Sequence, residues 1–397
     1  MKKLSVLYLT NAPSPYRVEF FEELGKLCDL NVCFELKPED VKHRNTAWYK
    51  ESYTNFTSIQ LKKRYFFKQY ICTDVLKVLK EKKYDAVVVG VYSTNTALLA
   101  MAYLKLKRIP FFINSDGGFI QKNETIVKKC IKSFLIGLGS YYFASGEKTG
   151  DYLRYYGGNK QVFKYSFSTY LAKDLPKNLI SCDEKEQLKK KLNLLERYVF
   201  ISVGQFIYRK GYDILMRACV GLSKDVGIYI IGGEPTEEYV QLKNSLKLNN
   251  IHFIGFKKKE NLIEYYKAAD AFVLPTREDI WGLVINEALT YGLPVITTDN
   301  CLAGLELVEN GVNGYIVPVG DTVELRKKIE LLSENLELSN YMASNAFGAM
   351  QTYTIEQEAI DHINAFTEVI KLKKRWYFWK EFNIELKWHY LCVTIIL

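Results

Sequence analysis

The segment Ala271–Thr298 constrains the fold most, because it places one helix between two apolar runs that have the length of buried strands. The first run, Ala271–Pro275, ends at a proline, and the second is Leu293–Thr298. The intervening pattern predicts a helix over Leu283–Tyr291, followed by Gly292 where a C-cap glycine belongs. A strand, a helix and a strand in this order predict a parallel sheet covered by helices.

The loop after the first of these strands carries three charged residues, Arg277, Glu278 and Asp279. The start of the following helix offers free backbone N–H groups and a positive dipole end to an anion. Glu287 lies eight positions after Asp279, so a second carboxylate projects from further along the helix. This combination suits a ligand that has both phosphate and hydroxyl groups, such as a nucleotide sugar.

Strand and helix patterns alternate along two separate parts of the chain, which predicts two doubly wound α/β domains. The first series begins with the strand Leu4–Leu9, and the second restarts at Tyr198–Val203 after a polar, charge-dense stretch. The expected organisation is a first domain at 1–175, a linker at 176–195, a second domain at 196–353, and a terminal helix with a basic aromatic tail at 354–397.

The net charge of +9 is concentrated in the first domain. Residues 1–175 contain 28 Lys and Arg against 16 Asp and Glu, a net of +12, whereas residues 176–397 contain 26 against 29, a net of −3. A basic first half is compatible with nucleic acid, an anionic membrane or an anionic substrate.

The eight cysteines and four histidines show no metal-binding spacing and no Cys-x-x-Cys pair. We therefore expect reduced thiols and neither disulfides nor a zinc site. No run of about 18 apolar residues occurs, so no bilayer-spanning helix is predicted.

Three further loops leave the carboxyl ends of predicted strands, where open α/β sheets bind ligands. Asn11–Arg17 is rich in proline, and Ser115–Gly118 contains glycines that permit close backbone approach. Gly204–Tyr208 leads to Arg209 and Lys210, two cations that suit a diphosphate. As alternatives, the first loop is a stiff connector and the second a plain turn.

The stretch around Glu287 resembles the donor-site motif of family 4 retaining glycosyltransferases, which have the GT-B fold. The resemblance rests on an acid and a glutamate separated by seven residues, on the aromatic-Gly-hydrophobic core Trp281–Leu283, and on the following Gly292–Ile296. The aligned first acid is Asp279 where the family usually has Glu, and Glu278 precedes it. Which of the two acids meets the donor sugar is left open.

A second motif carries the same resemblance. Lys210 and Gly211 match the end of the family's Gly-Arg-…-Lys-Gly motif, and Gln205 occupies the usual arginine position, so that Arg209 is a possible substitute. The resemblance covers nearly the whole chain and is strongest over residues 199–318. It implies two Rossmann-like domains that face a central cleft, with a C-terminal helix that returns to the first domain.

The resemblance also implies roles for individual residues. The expected catalytic residues are Lys210, Asp279 and Glu287. The expected donor-binding residues are Gly204, Gln205, Arg209, Glu278, Trp281, Gly282, Leu283 and Gly304. The expected acceptor-side residues are Tyr16, Arg17, Ser115 and Asp116.

In this interpretation Lys210 and the helix amides stabilise a departing diphosphate, and Glu287 holds the ribose. The donor is a UDP-, GDP- or dTDP-sugar, and neither a cofactor nor a metal is expected, because cationic side chains supply the positive charge. The expected acceptor is a saccharide, lipid-linked or free, in surface polysaccharide or glycolipid assembly. No nucleic-acid partner is expected.

Two basic segments indicate contact with an anionic membrane surface. The stretch Gln121–Gly137 alternates lysines with apolar residues, which is typical of an interfacial helix or of a core helix with a solvated lysine face. Lys371–Leu397 is rich in Lys, Trp and Tyr, and is either interfacial or a packed tail. The expected location is cytoplasmic and peripheral, at the inner face of the cell membrane.

Other classes of function remain as alternatives at this stage. A GT-B sugar-nucleotide epimerase would need no acceptor site, and a basic binding module would retain nucleic acid without specificity for nucleotide sugars. A dinucleotide-dependent oxidoreductase is disfavoured, because Gly-x-Gly-x-x-Gly follows no predicted strand.

Overall fold

A computed structural model of the chain contains two parallel sheets, and helices cover both faces of each sheet. The structure describes residues 3–40, 53–66, 69–121, 123–158 and 161–372. The aromatic tail beyond residue 372 was singled out from the sequence, and it lies outside these described residues.

The first sheet has seven parallel strands in the order β3-β2-β1-β6-β7-β8-β9. Its strands are β1 (Ser5–Thr10), β2 (Asp29–Phe34), β3 (Thr57–Gln60), β6 (Ala86–Val89), β7 (Phe112–Ser115), β8 (Tyr141–Ala144) and β9 (Val162–Lys164). A separate antiparallel ribbon is formed by β4 (Arg64–Phe66) and β5 (Gln69–Ile71). The strand order reverses between β1 and β6, which opens a crevice at their carboxyl ends.

The second sheet has six parallel strands in the order β12-β11-β10-β13-β14-β15. Its strands are β10 (Tyr198–Val203), β11 (Val226–Ile231), β12 (Ile251–Ile254), β13 (Ala271–Leu274), β14 (Val295–Thr298) and β15 (Gly314–Val317). Here the order reverses between β10 and β13. The two loops that carry Lys210 and Asp279 leave these two neighbouring strands.

Helices connect successive strands and cover the sheets. They are α1 (Pro15–Leu27), α2 (Val75–Glu81), α3 (Asn95–Leu106), α4 (Ile126–Gly137), α5 (Glu147–Tyr155), α6 (Cys182–Leu192), α7 (Tyr212–Ala218), α8 (Glu237–Ser245), α9 (Lys259–Ala268), α10 (Leu283–Thr290), α11 (Leu302–Leu307), α12 (Thr322–Glu334), α13 (Leu336–Met350) and α14 (residues 355–372). The predicted helix over 283–291 matches α10 to within one residue.

The terminal helix α14 packs against the first sheet. Its Phe366 ring lies 5.3 Å from the ring of Phe112 and 5.6 Å from that of Phe143, and His362 stacks on Phe143 at 4.1 Å. The amide of Gln161 beside β9 also donates to the carboxylate of Glu368. The return of this helix to the first half of the chain, which the resemblance implied, is therefore present.

Two segments that the sequence singles out contain helices in the structure. The expected linker contains the helix α6, whose Lys189 lies 2.8 Å from the carboxylate of Asp270 next to β13 and donates at 2.9 Å to the carbonyl of Arg197. These contacts attach α6 to the second sheet. Helix α4 begins at Ile126, later than the stretch that suggested it, and Ile136 is its one fully buried residue.

Among the described residues the seven cysteines are free, and no cluster of His, Cys, Asp and Glu has the form of a metal site. Within the same part of the chain, no helix has both the length and the apolar character needed to cross a bilayer.

Candidate active site

The loops after β10 and β13 meet at the carboxyl edge of the second sheet. Lys210 Nζ donates to Asp279 Oδ2 at 2.7 Å, and Arg209 lies 3.2 Å from Asp279 Oδ1. Arg209 also donates to the backbone carbonyl of Glu278 at 2.8 Å. The fold thus brings two cations together with a carboxylate. Lys210 and Asp279 are 69 residues apart in the sequence.

Lys210 and Arg209 differ in their exposure to solvent. The Lys210 side chain is 11% exposed and that of Asp279 is 12% exposed, whereas Arg209 is 45% exposed. A charge pair that is shielded from water interacts more strongly than an exposed one. The ion pair between Lys210 and Asp279 is therefore stronger than the one between Arg209 and Asp279. The Arg209 side chain, being more exposed, is freer to change its position.

Glycines permit the close approach of the two loops. Gly211 has a φ of +70°, and a Cβ at this position would lie 2.1 Å from the carbonyl oxygen of Pro275. Gly204 precedes the cations, and a Cβ there would lie 3.0 Å from Lys210 Cε. Substitution of Gly211 would push the lysine loop away from the segment after β13, and substitution of Gly204 would crowd the Lys210 side chain.

Arg277 supports the site without facing it. Its guanidinium forms a bidentate pair with Asp213, at 2.8 and 2.6 Å, and stacks over the Tyr208 ring at 3.8 Å. These contacts hold the segment before α7 against the loop after β13. The pairing also holds the pKa of Asp213 below its usual value, against the effect of burial.

Of the two adjacent acids, the structure joins only Asp279 to the cations. Glu278 is half-buried, and its carboxylate forms no ion pair with any of the described residues. Gln205, at the position where the resembling family has arginine, is exposed. The arginine nearest to the Lys210–Asp279 pair is instead Arg209.

Glu287 lies on α10 and accepts a hydrogen bond of 2.8 Å from the hydroxyl of Tyr266 on α9. Burial raises the pKa of its carboxyl group above the usual value, and the Tyr266 hydrogen bond opposes this shift. Leu283 at the start of the same helix is half-buried. Gly282, with a φ of +93°, turns the chain into α10.

Trp281 connects the site to the segment between the two sheets. Its indole is 4% exposed, donates to Asn286 Oδ1 at 2.9 Å, and lies 5.3 Å from the Phe167 ring. The Asn286 amide in turn donates to the carbonyl of Phe167 at 3.0 Å. Trp281 was expected to bind the donor, and these contacts give it a packing role at the junction of the two halves.

The expectation for Gly304 is corrected by the structure. The first amides of α11 do not face an open crevice, because Leu302 N–H donates to the carbonyl of Asp279 and Ala303 N–H donates to that of Trp281. Gly304 lies inside this six-residue helix, where a Cβ would approach Thr297 Cγ2 to 2.4 Å. A glycine is needed there for packing against β14.

Two of the expected acceptor-side residues, Arg17 and Asp116, belong to a second polar cluster at the carboxyl ends of β1 and β7. Arg17 is 6% exposed, is paired with Asp116, and donates to Glu358 of α14 at 3.1 Å. Asp116 also accepts from Tyr165 and from Asn114, each at 2.7 Å. Sequence reasoning found two members of this cluster and missed three, namely Asn114 of β7, Tyr165 and Glu358.

A cavity of about 140 Å³ opens beside this cluster. Its lining combines both expected and unexpected residues, namely Tyr8, Thr10, Asn11, Ala12, Ser14, Tyr16, Arg17, Gly90, Val91 and Asp116. The hydroxyl of Tyr8 is buried and makes no hydrogen bond with the described residues. Tyr8 was missed because it stands inside an apolar strand, where the pattern indicates only a core residue. Ser115 is turned away, since its hydroxyl donates to the carbonyl of Gly117 at 3.0 Å.

The two halves touch at this cleft. A Cβ on Gly117, in the loop after β7, would lie 2.0 Å from the carbonyl oxygen of Ile280, in the loop after Asp279. Across the same boundary, the carboxylate of Glu306 on α11 accepts from the backbone N–H of Lys148 in the first turn of α5. The acceptor-side and cation-bearing loops therefore face one another.

The buried Glu358 predicts a dependence of stability on pH. Burial, reinforced by Asp116 and Asp361 and opposed by Arg17, raises the pKa of Glu358 from 4.5 to about 8. Above pH 4.5 the unfolded chain binds fewer protons than the folded chain at this group, so stability falls as the pH rises towards 8. The limiting slope is about 1.4 kcal/mol per pH unit for one proton.

We expect the E358Q variant to lose less thermal stability than the wild type between pH 5 and pH 8. Calorimetric melting curves of both proteins across this range measure the difference. E368Q, on the exposed side of the same helix, is the matched control and should follow the wild type. Parallel pH profiles of E358Q and the wild type would show that Glu358 is not the titrating group.

Comparison with known proteins identifies the class of fold and of domain. Residues 183–348 match the family described as glycosyl transferases group 1. A Haemophilus influenzae protein called an uncharacterized glycosyltransferase is 32% identical over 188 residues, which cover 45% of this chain and 52% of that protein. The chain thus spans about half the length of this relative.

The chain is also similar, over a longer stretch, to a Campylobacter jejuni protein named N,N'-diacetylbacillosaminyl-diphospho-undecaprenol alpha-1,3-N-acetylgalactosaminyltransferase. It is 22% identical over 308 residues, which cover 74% of this chain and 80% of the relative. The comparisons do not favour the epimerase or the binding module.

The fold is similar to that of a solved structure, Anabaena Alr3699/HepE in complex with UDP. The TM-score is 0.72 at 17% identity, over 93% of this chain and 100% of that one. At this identity the likeness concerns the fold alone, which is GT-B. Residues 183–348 therefore match the glycosyl transferases group 1 family, within a chain that has the GT-B fold.

Proposed function

We propose that the chain transfers a glycosyl group from a nucleoside diphosphate sugar to a saccharide acceptor in the assembly of a surface polysaccharide or lipopolysaccharide. The observation that carries this proposal is the convergence of Lys210 and Arg209 on Asp279 at the carboxyl edge of the second sheet. The group 1 family match and the names of the relatives support the class of reaction.

The site has the charge distribution that a diphosphate leaving group requires. Cleavage of the bond between the sugar and the diphosphate leaves negative charge on a phosphate oxygen, and cations fixed nearby stabilise that charge. Lys210 is the fixed cation and Arg209 reaches the same position from the solvent side. These side chains supply the positive charge that a metal supplies in other transferases.

The carboxylates have separate roles in this proposal. Asp279 is released from Lys210 and Arg209 when they bind the diphosphate, and its oxygens then accept hydrogen bonds from the sugar hydroxyls. Glu287, held by Tyr266, accepts from the ribose hydroxyls. Retention of configuration at the transferred carbon follows from the resemblance to family 4 enzymes.

The acceptor occupies the facing cleft in the first half of the chain. The cavity beside Tyr8, Arg17 and Asp116 offers donors and acceptors for saccharide hydroxyls. A lipid-linked acceptor is supported by the name of the Campylobacter relative, which specifies a diphospho-undecaprenol substrate. A location at the inner face of the cell membrane follows from such an acceptor.

A panel of UDP-, GDP- and dTDP-sugars tests the proposal through thermal stabilisation of the full chain. A ligand at 100 times its dissociation constant adds about 2.7 kcal/mol to the stability of the folded state. We expect one nucleotide class to raise the melting temperature and K210M to remove most of the increase, with K224M on the exposed surface as the matched control. Equal shifts for wild type and K210M, or no shift with any nucleotide, would contradict the donor site.

A further inference from the structure

Helix α4 presents its apolar side to solvent. Its outward residues are Ile126, Val127, Ile131 and Phe134, which are 81%, 67%, 54% and 68% exposed. At 100° per residue these four positions fall within one sector of the helix, together with the exposed Cys130. A surface helix of a globular protein normally turns such a sector towards the core.

Two lysines of α4, Lys129 and Lys132, lie on the other side, where they contact the protein. Lys129 Nζ donates to the hydroxyl of Tyr155 on α5 at 2.8 Å and lies 4.3 Å from the centre of its ring. Lys132 pairs with Glu124 at 2.9 Å and lies 4.8 Å from the Tyr156 ring. These contacts fix the rotation of the helix, so the outward direction of the apolar sector is specified by the sequence.

The charge around the apolar sector favours a negatively charged occupant. The helix contains three lysines and no acidic residue, and the exposed Lys128 borders the sector. The whole first half of the chain is basic, as its count of charged residues shows. A contiguous exposed apolar patch with cations at its edge is typical of surfaces that bind anionic bilayers.

We infer that the outward face of α4 docks on an anionic lipid bilayer, with Phe134 and Ile131 inserted among the acyl chains near the head groups. The helix follows the loop of Ser115 and Asp116, which lies at the cleft. Docking through α4 therefore holds that loop near the membrane surface. The link between this loop and an acceptor rests on the proposed function. The docking of α4 does not, because it needs neither donor nor acceptor.

The test measures co-sedimentation of the full chain with vesicles of phosphatidylglycerol and phosphatidylcholine in a 3:7 ratio, and with pure phosphatidylcholine. We expect binding to the anionic vesicles that weakens as salt is added. F134E should weaken this binding about tenfold or more, because it removes the largest inserted side chain. K128Q should weaken it about fivefold.

A matched control separates docking from a general loss of apolar surface. L195E replaces a leucine that is 80% exposed in the second half of the chain and should bind vesicles like the wild type. F134W should show a blue-shifted tryptophan emission with anionic vesicles. Melting curves of every variant confirm that the fold is intact.

Three results would overturn the inference. The first is wild-type binding that F134E leaves unchanged, and the second is an absence of binding to anionic vesicles at low salt. The third is a dimer without lipid affinity that F134E dissociates, since the apolar face would then bind a second copy of the chain. Stabilisation by nucleotide sugars is measured on the same samples, so a failure of docking is distinguished from a failure of the donor site.

Discussion

K210M should lower kcat for glycosyl transfer by about 1,000-fold, because it removes the shielded cation that faces the developing charge on the diphosphate. Lys210 is nearly buried and is paired with Asp279 in the free protein. In the proposed mechanism it exchanges Asp279 for the diphosphate when the donor binds, so the cation is in place before the charge forms. K210M should weaken donor binding and should also lower kcat at saturating donor, since the charge is greatest in the transition state.

The measurement is the rate of nucleoside diphosphate release in the presence of the acceptor. R209M should lower kcat by about tenfold, because Arg209 is more exposed and its interaction is screened by water. K224M, which removes an exposed lysine from the same half of the chain, should leave kcat unchanged. A kcat of K210M within tenfold of the wild type would remove Lys210 from the mechanism.

Loss of Lys210 also leaves the carboxylate of Asp279 with a single, exposed partner, so reduced stability could be mistaken for reduced catalysis. The double variant K210M/D279N separates the two effects, since it removes both members of the buried pair. We expect it to recover melting temperature relative to K210M and to remain inactive. Recovery of activity together with stability would mean that Lys210 acts only through the fold.

The proximity of Lys210 and Asp279 was predictable from the sequence. Each lies in a loop that follows a short apolar run, and such runs predict strands of a parallel sheet. Ligand-binding loops of open α/β sheets gather at the carboxyl ends of strands where the order reverses. β10 and β13 meet this condition, so positions that are distant in the sequence become neighbours.

The sequence did not predict which side of α4 packs against the protein and which faces solvent. The periodicity of Ile126–Gly137 shows an apolar side and a lysine side, but it does not show which side meets the protein. Normally the apolar side does, since burial of apolar surface is favourable. Here Tyr155, Tyr156 and the carboxylate of Glu124 contact the lysines instead. Such partners are visible only when the tertiary structure is known.

The cluster around Arg17 shows a similar limit. Asp116 is a predictable neighbour, because α1 follows β1 and Asp116 follows β7, in the same sheet. Glu358 is separated from Arg17 by 341 residues and arrives on the returning helix α14. A helical pattern predicts that α14 has an apolar face. It does not predict which charged residue on another element will pair with the buried carboxylate of this helix.

R17M should reduce the free energy of unfolding by about 3–5 kcal/mol, the usual result when one member of a buried ion pair is removed. Arg17 neutralises Asp116 and Glu358, and its guanidinium lies 5.5 Å from the Phe20 ring and 5.1 Å from the Phe167 ring. Urea unfolding followed by circular dichroism measures the loss. K26M, on the exposed face of the same helix, should change stability by less than about 0.5 kcal/mol.

The double variant R17M/E358Q tests whether the lost stability arises from charge or from packing. The measurement is made at pH 9, where Glu358, with its pKa of about 8, is ionised. If the cost of R17M is that of uncompensated buried carboxylates, neutralising Glu358 should then restore about 1–3 kcal/mol, and the two substitutions will not be additive. If packing against Phe20 and Phe167 dominates, E358Q will restore nothing. A loss below about 1 kcal/mol in R17M itself would contradict the cluster as a link between α14 and the first sheet, because severing a buried ion pair should cost more than that.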